Sequence, residues 1–263
     1  MPVADAALLD ELLAAALAAA DGAAELLAAG FGRARTLVDT KSSPTDMVTE
    51  MDRGAEARIA DSLARLRPDD ALLGEEGTVR PGSSGVRWIV DPLDGTTNYL
   101  YGLPAYSISV AAELGDRIVV GAVVDPCRGE TWTARLGLGA ERNGHRLQLA
   151  PSERRLAESL VATGFSYLSA RRAAQALVLT QVLPAVRDVR RIGSAALDLC
   201  WVGGGRVDAY YEWGLQPWDR AAGTLVATEA GAEQAELVDG TLVVAAPGLL
   251  GPLTALLGRS GQR

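Results

Sequence analysis

The sequence predicts an α+β / α/β fold, with an α+β half over residues 1–150 and an α/β half over residues 151–263. Three observations carry that prediction. Leucines at helical spacing open the chain. Short apolar runs, broken by turn residues, fill the stretch from Tyr106 to about Leu149. Beyond Pro151, strand-like and helix-like segments alternate. No Ser- or Pro-rich linker separates the halves, so they are expected to pack as one body. The chain is 48% hydrophobic and 22% charged, the balance of a globular protein with room for a sizeable core.

Residues 5–29 carry Leu8, Leu9, Leu12, Leu13 and Leu17 on one stripe. Asp5 is placed to cap this helix, and Gly30 and Gly32 to stop it. A second helix is predicted over residues 52–67. Thr49 and Asp52 suit a capping box, Ile59, Leu63 and Leu66 form a buried stripe, and Pro68 ends it. The period then shortens. Residues 71–73 and 86–90 read as buried strands that finish in carboxylates, Glu75 and Glu76 after the first and Asp91 after the second. Pro92 lacks the next ladder donor and predicts a turn.

From Tyr106 onward, strands are expected over residues 107–114, 118–124, 130–134 and 146–149. Turns at Gly115-Asp116 and Asn143-Gly144 make them an antiparallel meander. In the second half, residues 159–163, 207–212 and 242–245 read as strands. Residues 171–183, 194–202 and 218–229 read as helices, and a short helix follows Pro247.

Composition removes several function classes. A net charge of −8 repels phosphate backbones, so no nucleic-acid partner is expected. Cys127 and Cys200 make neither a disulfide framework nor a CxxC motif. His145 is the only histidine, which excludes multi-histidine zinc sites and leaves one candidate for any Ser-His-Asp triad. It lies in Asn143-Gly144-His145-Arg146, which reads as a turn between strands, and is itself read as a plain surface residue. The N-terminus lacks a basic start and carries Asp5, Asp10, Glu11 and Asp21. Its longest apolar run, residues 12–20, is shorter than the roughly 18 residues that span a bilayer. A cytoplasmic protein with no membrane partner is expected.

The densest segment is Trp88-Ile89-Val90-Asp91-Pro92-Leu93-Asp94-Gly95-Thr96-Thr97-Asn98-Tyr99. A strand delivers Asp91 to its carboxyl end, and Asp94 follows three residues on. Gly95-Thr96-Thr97 offers backbone N–H groups where a short helix starts, a phosphate-binding arrangement. Two carboxylates beside a phosphate repel it unless divalent cations lie between them. Mg²⁺ suits that place, because it accepts carboxylate, phosphate and water oxygens. Alone, the segment also reads as a tight turn capped by Asp94 and Thr96. Glu75, ending a neighbouring run, could share a cation with Asp91. Trp218-Asp219-Arg220-Ala221-Ala222-Gly223 opens a helix with Asp219 in its first turn. Asp219 there is either a cap or part of a second cation site.

These two motifs resemble the signatures of the inositol monophosphatase family. Gly74-Glu75-Glu76 resembles its third acidic motif, and Lys41-Ser42-Ser43-Pro44-Thr45-Asp46-Met47-Val48-Thr49-Glu50-Met51-Asp52 its N-terminal segment. The resemblance spans about residues 5–258 and is of the bacterial type. It implies a layered αβαβα sandwich. It also implies two to three Mg²⁺ ions. Glu75, Asp91 and the carbonyl of Leu93 would hold the first, and Asp91, Asp94 and Asp219 the second. A third, weaker ion would lean on Glu75, which counts with the catalytic set.

Gly95 and Thr96 would bind phosphate, while Asp52 with Thr96 would orient and deprotonate the attacking water. Direct attack by water is expected in place of a phosphoenzyme. Glu212, with Gly193, Ser194 and Ala195, would line the alcohol pocket beside Asp94 and Asp219. Lys41 would point to the cation region. Inhibition by Li⁺ and a homodimer are also implied.

The resemblance implies myo-inositol monophosphate as substrate, because Thr96-Thr97-Asn98 follows the Asp-Gly pair and Glu212 suits a polyol. Fructose 1,6-bisphosphate, histidinol phosphate, 3′-phosphoadenosine 5′-phosphate and other small phosphate esters are the alternatives. A regulatory binding protein without catalysis is the other class of reading. The segment between Glu75 and Asp91 and that between Ala230 and Leu242 look short for the family. The first departure puts the third cation in doubt.

Overall fold

A computed structural model of the chain describes residues 5–32, 38–40, 47–150 and 155–260. Helix α1 (Ala6–Gly30) starts at Asp5, whose Oδ1 accepts the Ala7 N–H at 3.3 Å. Leu9, Leu12, Ala16, Ala20, Ala23 and Leu27 bury one stripe, and Gly32 leaves the helix with φ +82°. By length and composition this helix could cross a membrane, a property the nine-residue apolar run conceals. Here its stripe packs on a sheet and on the next helix. Strands β1 (Val38–Thr40) and β2 (Met47–Thr49) pair as an antiparallel ribbon.

Helix α2 (Glu50–Leu66) starts two residues before its expected beginning. Ile59 and Leu63 are buried as predicted, but Leu66 is 51% exposed. It is the last residue of the helix, and Ala55 and Glu56 lie on the buried face.

Strands β3 (Ala71–Gly74), β4 (Val79–Arg80) and β5 (Val86–Asp94) precede the short helix α3 (Thr96–Tyr101). Strands β6 (Ser107–Leu114), β7 (Arg117–Asp125), β8 (Glu130–Arg135), β9 (Gly139–Arg142) and β10 (His145–Arg146) follow. They form one sheet in the order β10-β9-β8-β7-β6-β5-β3-β4. The meander is antiparallel as expected, while β3 and β5 run parallel.

Three expectations fail here. Pro92 does not end β5, which continues to Asp94 across a register shift between Asp91 and Asp94. A bulge accommodates proline because the local ladder bond is already broken. No strand covers residues 147–149. The pairing lies earlier, across Asn143 (φ 50°) and Gly144 (φ 75°), a two-residue turn whose left-handed backbone matches strand twist. His145 therefore sits in β10 and not in the turn, though it is exposed as expected.

The second sheet combines β11 (Leu160–Thr163), β12 (Asp188–Arg190), β13 (Ala209–Trp213), β14 (Glu233–Glu236) and β15 (Thr241–Ala245) in the order β12-β11-β13-β15-β14. Helices α4 (Ser169–Val182), α5 (Ala195–Gly203), α6 (Pro217–Glu229) and α7 (Leu250–Ser260) connect or follow them. The edge strands β12 and β14 have no apolar run to announce them.

The alternation of side chains sets the layers. Trp88 and Val90 of β5 face α1 and α2, whereas Ile89 faces α5 and α6. Leu199 and Val202 of α5 pack on Tyr210 and Val244 of the second sheet. Its other face, with Tyr211 and Val243, packs on α4 and α7. The stack is thus α1/α2, first sheet, α5/α6, second sheet, α4/α7, an αβαβα sandwich. Small residues let α6 approach closely. A Cβ on Gly121 would meet the Ala222 carbonyl oxygen at 2.8 Å.

Candidate active site

The parallel pairing of β3 and β5 puts Gly74 opposite Val90, so Glu75, just past the end of β3, follows beside Asp91 of β5. The Glu75 N–H donates to Val90 O at 3.1 Å and holds the two ends together. Asp91 is 1% exposed, and its Oδ1 accepts the Leu93 N–H at 3.0 Å. The bulge then brings Asp94 back into register opposite Ser107. Helix α3 starts at Gly95, whose φ of 101° suits glycine. A Cβ there would lie 2.9 Å from Ala105 O.

Thr96 faces α2. Its hydroxyl lies within hydrogen-bond distance of two acceptors, Asp52 Oδ1 at 2.8 Å and the carbonyl of Leu93 at 3.1 Å. From the second half, α6 delivers Asp219 in its first turn, where Oδ2 accepts the Gln216 N–H at 2.6 Å. Helix α5 meets Asp94 with its own N-terminus. Asp94 Oδ2 accepts from Ser194 Oγ at 2.7 Å and from the Ala196 N–H at 2.7 Å. Ser194 is buried, and its Oγ also accepts the Leu197 N–H at 3.3 Å and lies 3.0 Å from Ser107 Oγ. Its side chain thus holds Asp94, while Gly193 and Ala195 beside it are half-buried.

Glu75, Asp91, Asp94 and Asp219 share one electrostatic environment. Burial, then Glu75, Asp94 and Asp219, push the Asp91 carboxyl well above the usual carboxylate range. Burial also raises Asp94 to about 6, against the pull of Ser194 and Ala196. Asp219 is raised by burial first and by Asp94 next. Such a set gathers negative charge that one another's presence disfavours, and a cation among them would relieve it. All four donors are hard oxygens, the type Mg²⁺ prefers. Among the described residues, no three acidic, histidine or cysteine side chains are already spaced as ligands of one ion. The donor chemistry fits a divalent ion.

Glu212, near the end of β13, accepts the Tyr210 hydroxyl and is raised to about 7 chiefly by burial. It sits against Gly164, where a Cβ would come within 1.9 Å of its Oε2. A cavity of about 710 Å³ under α4 and α7 reaches Glu212 but none of the four clustered carboxylates.

Several residues near the site carry no sequence motif of their own or had no role assigned. Glu56 binds the turn after β3 through the Glu76 and Thr78 N–H groups. Asn98 Nδ2 donates to Ala105 O at 2.7 Å and to Ile192 O at 2.8 Å, joining the two halves. Asp198 is buried with Oδ1 unpaired, and its pKa is raised well above the usual range by burial, then by Asp94 and Glu212. Tyr167, bonded to Thr97, is pushed up to about 12, mainly by burial. The spacing of Glu56 four residues after Asp52 was a usable signal, since it places both on one helix face. Lys41 and the rest of residues 41–46 lie outside the described residues.

The sequence and the fold both have known relatives. The sequence model described as Inositol monophosphatase family matches residues 8–258. The chain is 48% identical to an inositol-1-monophosphatase of Mycobacterium bovis, over 84% of this chain and 81% of that protein. It is 39% identical to the Nus factor SuhB of Pasteurella multocida, over 91% and 92% of the two chains. The extragenic suppressor protein suhB of Bartonella henselae superposes with a TM-score of 0.88 at 35% identity, covering 94% of this chain and 98% of that one. A structure of inositol monophosphate bound SaIMPase-II superposes with a TM-score of 0.68 at 27% identity, covering 80% and 87%.

Proposed function

The chain belongs to the inositol monophosphatase family, a family of phosphatases, and from that premise we propose that it is a Mg²⁺-dependent phosphomonoesterase acting on myo-inositol monophosphate. One observation carries the reading. Carboxylates from the ends of β3 and β5 and from the start of α6 converge beside the N–H groups that open α3.

Glu75, Asp91, Asp94, Asp219 and the carbonyl of Leu93 would hold two ions, with Glu75 also serving a third. The bound ions supply positive charge that offsets the phosphate dianion and the charge that develops as its ester bond breaks. The chain's own groups do the rest. Gly95 and Thr96 N–H groups hold phosphate oxygens. A water on Thr96 Oγ1 gives up its proton to that oxygen as the Thr96 proton passes to Asp52 Oδ1, across the 2.8 Å hydrogen bond. No covalent intermediate is needed. Glu212 and the 193–195 segment receive the alcohol hydroxyls, and Asp94 and Asp219 border both parts of the substrate.

Relatives named inositol-1-monophosphatase and the inositol monophosphate bound to SaIMPase-II support a polyol phosphate. We place the enzyme in the cytoplasm, because α1 is committed to the core of the fold. We also infer a homodimer and inhibition by Li⁺, both from the family resemblance. The test is phosphate release from inositol 1-phosphate, fructose 1,6-bisphosphate, histidinol phosphate and 3′-phosphoadenosine 5′-phosphate, with Mg²⁺ and with chelator. Chelator-sensitive release led by inositol 1-phosphate is expected. Release led by another ester would keep the cation site and discard the substrate.

A second reading has its own support, since several relatives are named Nus factor SuhB. On that reading the protein acts by binding transcription machinery. The net charge of −8 disfavours a direct nucleic-acid interface. A folded, Mg²⁺-loaded protein inert toward all four esters would favour it.

A further inference from the structure

Glu56 lies one turn beyond Asp52 on the same face of α2 and is 3% exposed. Its two oxygens accept separate backbone donors from the turn after β3. Oε2 takes the Glu76 N–H at 2.7 Å and Oε1 the Thr78 N–H at 2.9 Å. The fit demands glycine at residue 74, where a Cβ would come within 2.4–2.9 Å of the Glu56 carboxyl atoms. The turn already closes on itself, through the Gly74 N–H on Thr78 O at 2.8 Å. What Glu56 adds is the orientation of the closed turn relative to α2. Glu75 is carried on that turn. Asp52, on the same helix face, carries the bond to Thr96.

We propose that Glu56 is a positioning residue for the cation site, which fixes the 74–78 turn and so aims Glu75 relative to the Asp52–Thr96 pair. This rests on the reading of Glu75 as a cation ligand. The two oxygens of a carboxylate match two N–H donors. In Glu56→Gln one of them is replaced by an NH₂ group that must oppose an N–H, so the turn loses one anchor while the volume is kept. Residues that orient metal ligands in this way typically change metal affinity by 10–100-fold when altered.

The experiment uses the full chain, freed of metal and titrated with Mn²⁺ under electron paramagnetic resonance. Glu56→Gln should bind Mn²⁺ 10–100-fold more weakly than wild type. Turnover at saturating Mg²⁺ should largely return, so the defect appears in the Mg²⁺ concentration needed and not in kcat. A double substitution separates aiming from packing. Gly74→Ala alone collides with Glu56 and should lower the Tm. In a Glu56→Ala background the new methyl group has room, so the Tm should recover while Mn²⁺ affinity stays low.

Wild-type Mn²⁺ affinity in Glu56→Gln overturns the proposal. So does recovery of affinity together with Tm in the double variant, because packing would then explain everything. A wild-type protein that binds no Mn²⁺ overturns the cation reading itself. That result is separable from a failure at Glu56 alone, which leaves wild-type binding intact.

Discussion

Buried carboxylates lie at both ends of the β3–β5 pair, and their surroundings differ in kind. At the start, Asp70 is 1% exposed and receives Trp88 Nε1 at 3.0 Å, Ser84 Oγ at 2.6 Å and Arg67 Nε at 2.9 Å. Arg67 is correspondingly raised, first by its hydrogen bond to Asp70. At the finish, Asp91 is equally buried, yet the charges around it are Glu75, Asp94 and Asp219. The first carboxylate is matched by the protein and holds a loop. The second is surrounded, among the described residues, by carboxylates that raise its hold on a proton. Burial alone does not mark a site; the sign of what surrounds the buried group does.

Exchanging carboxylates for amides tests this contrast most strongly at the cation end. Asp94→Asn or Asp219→Asn should lower phosphate release by about three orders of magnitude or more with the fold retained. Turnover near wild type in either variant would erase the distinction between the two ends.

The pH dependence of the metal-free protein comes next. Asp94, raised to about 6, and Glu212, raised to about 7, hold protons more tightly folded than unfolded. Their stabilising contribution is complete below about pH 4 and disappears as pH rises through those two values. In chelator, the Tm should therefore fall between about pH 5 and 8, and Mg²⁺ should remove much of the fall. A chelated Tm that climbs over that range would mean that the cluster is not in excess charge.

Asp70→Asn provides the opposite result at the other end. It removes the nearest charged partner of Arg67, which keeps only Glu11 at 3.6 Å, and should cost about 2 kcal/mol in urea unfolding, with kcat unchanged. A selective loss of kcat would move Asp70 into the site. Glu212→Gln should have the smallest effect, roughly a tenfold change in preference between inositol 1-phosphate and fructose 1,6-bisphosphate, the scale of one hydrogen bond. Mg²⁺ dependence should be unaltered. If neither preference nor Mg²⁺ dependence changes, Glu212 does not touch the alcohol.

Sequence patterns announced most of the layered fold because its interior elements repeat apolar residues at periods of two or 3.6. They failed where pairing rests on something else. Strands β12 and β14 are polar edges, and β5 passes Pro92 through a bulge that only its partner strand makes visible. Leu66 looked buried by spacing, but as the last residue of α2 it is exposed. At the candidate site, Asp91, Asp94 and Asp219 stood out because carboxylates at strand and helix ends have few ordinary reasons to gather. Glu56 did not, since its partners are backbone N–H groups, which every residue type but proline supplies. The hydroxyl of Ser194 is turned to Asp94, a direction that spacing cannot encode.

Asn98 makes its two bonds from one rigid, planar amide, to Ala105 O on the first half and Ile192 O on the second. It therefore acts as a gauge block. The loop proposed for the phosphate and the segment proposed for the alcohol cannot drift apart without breaking one of those bonds. If both proposals hold, an ester would be measured by the interval between its phosphorus and its farthest bound hydroxyl, before the identity of any single hydroxyl matters. On those same proposals, compounds of equal interval would compete even when their rings differ, and a longer spacer would lose contact at one end.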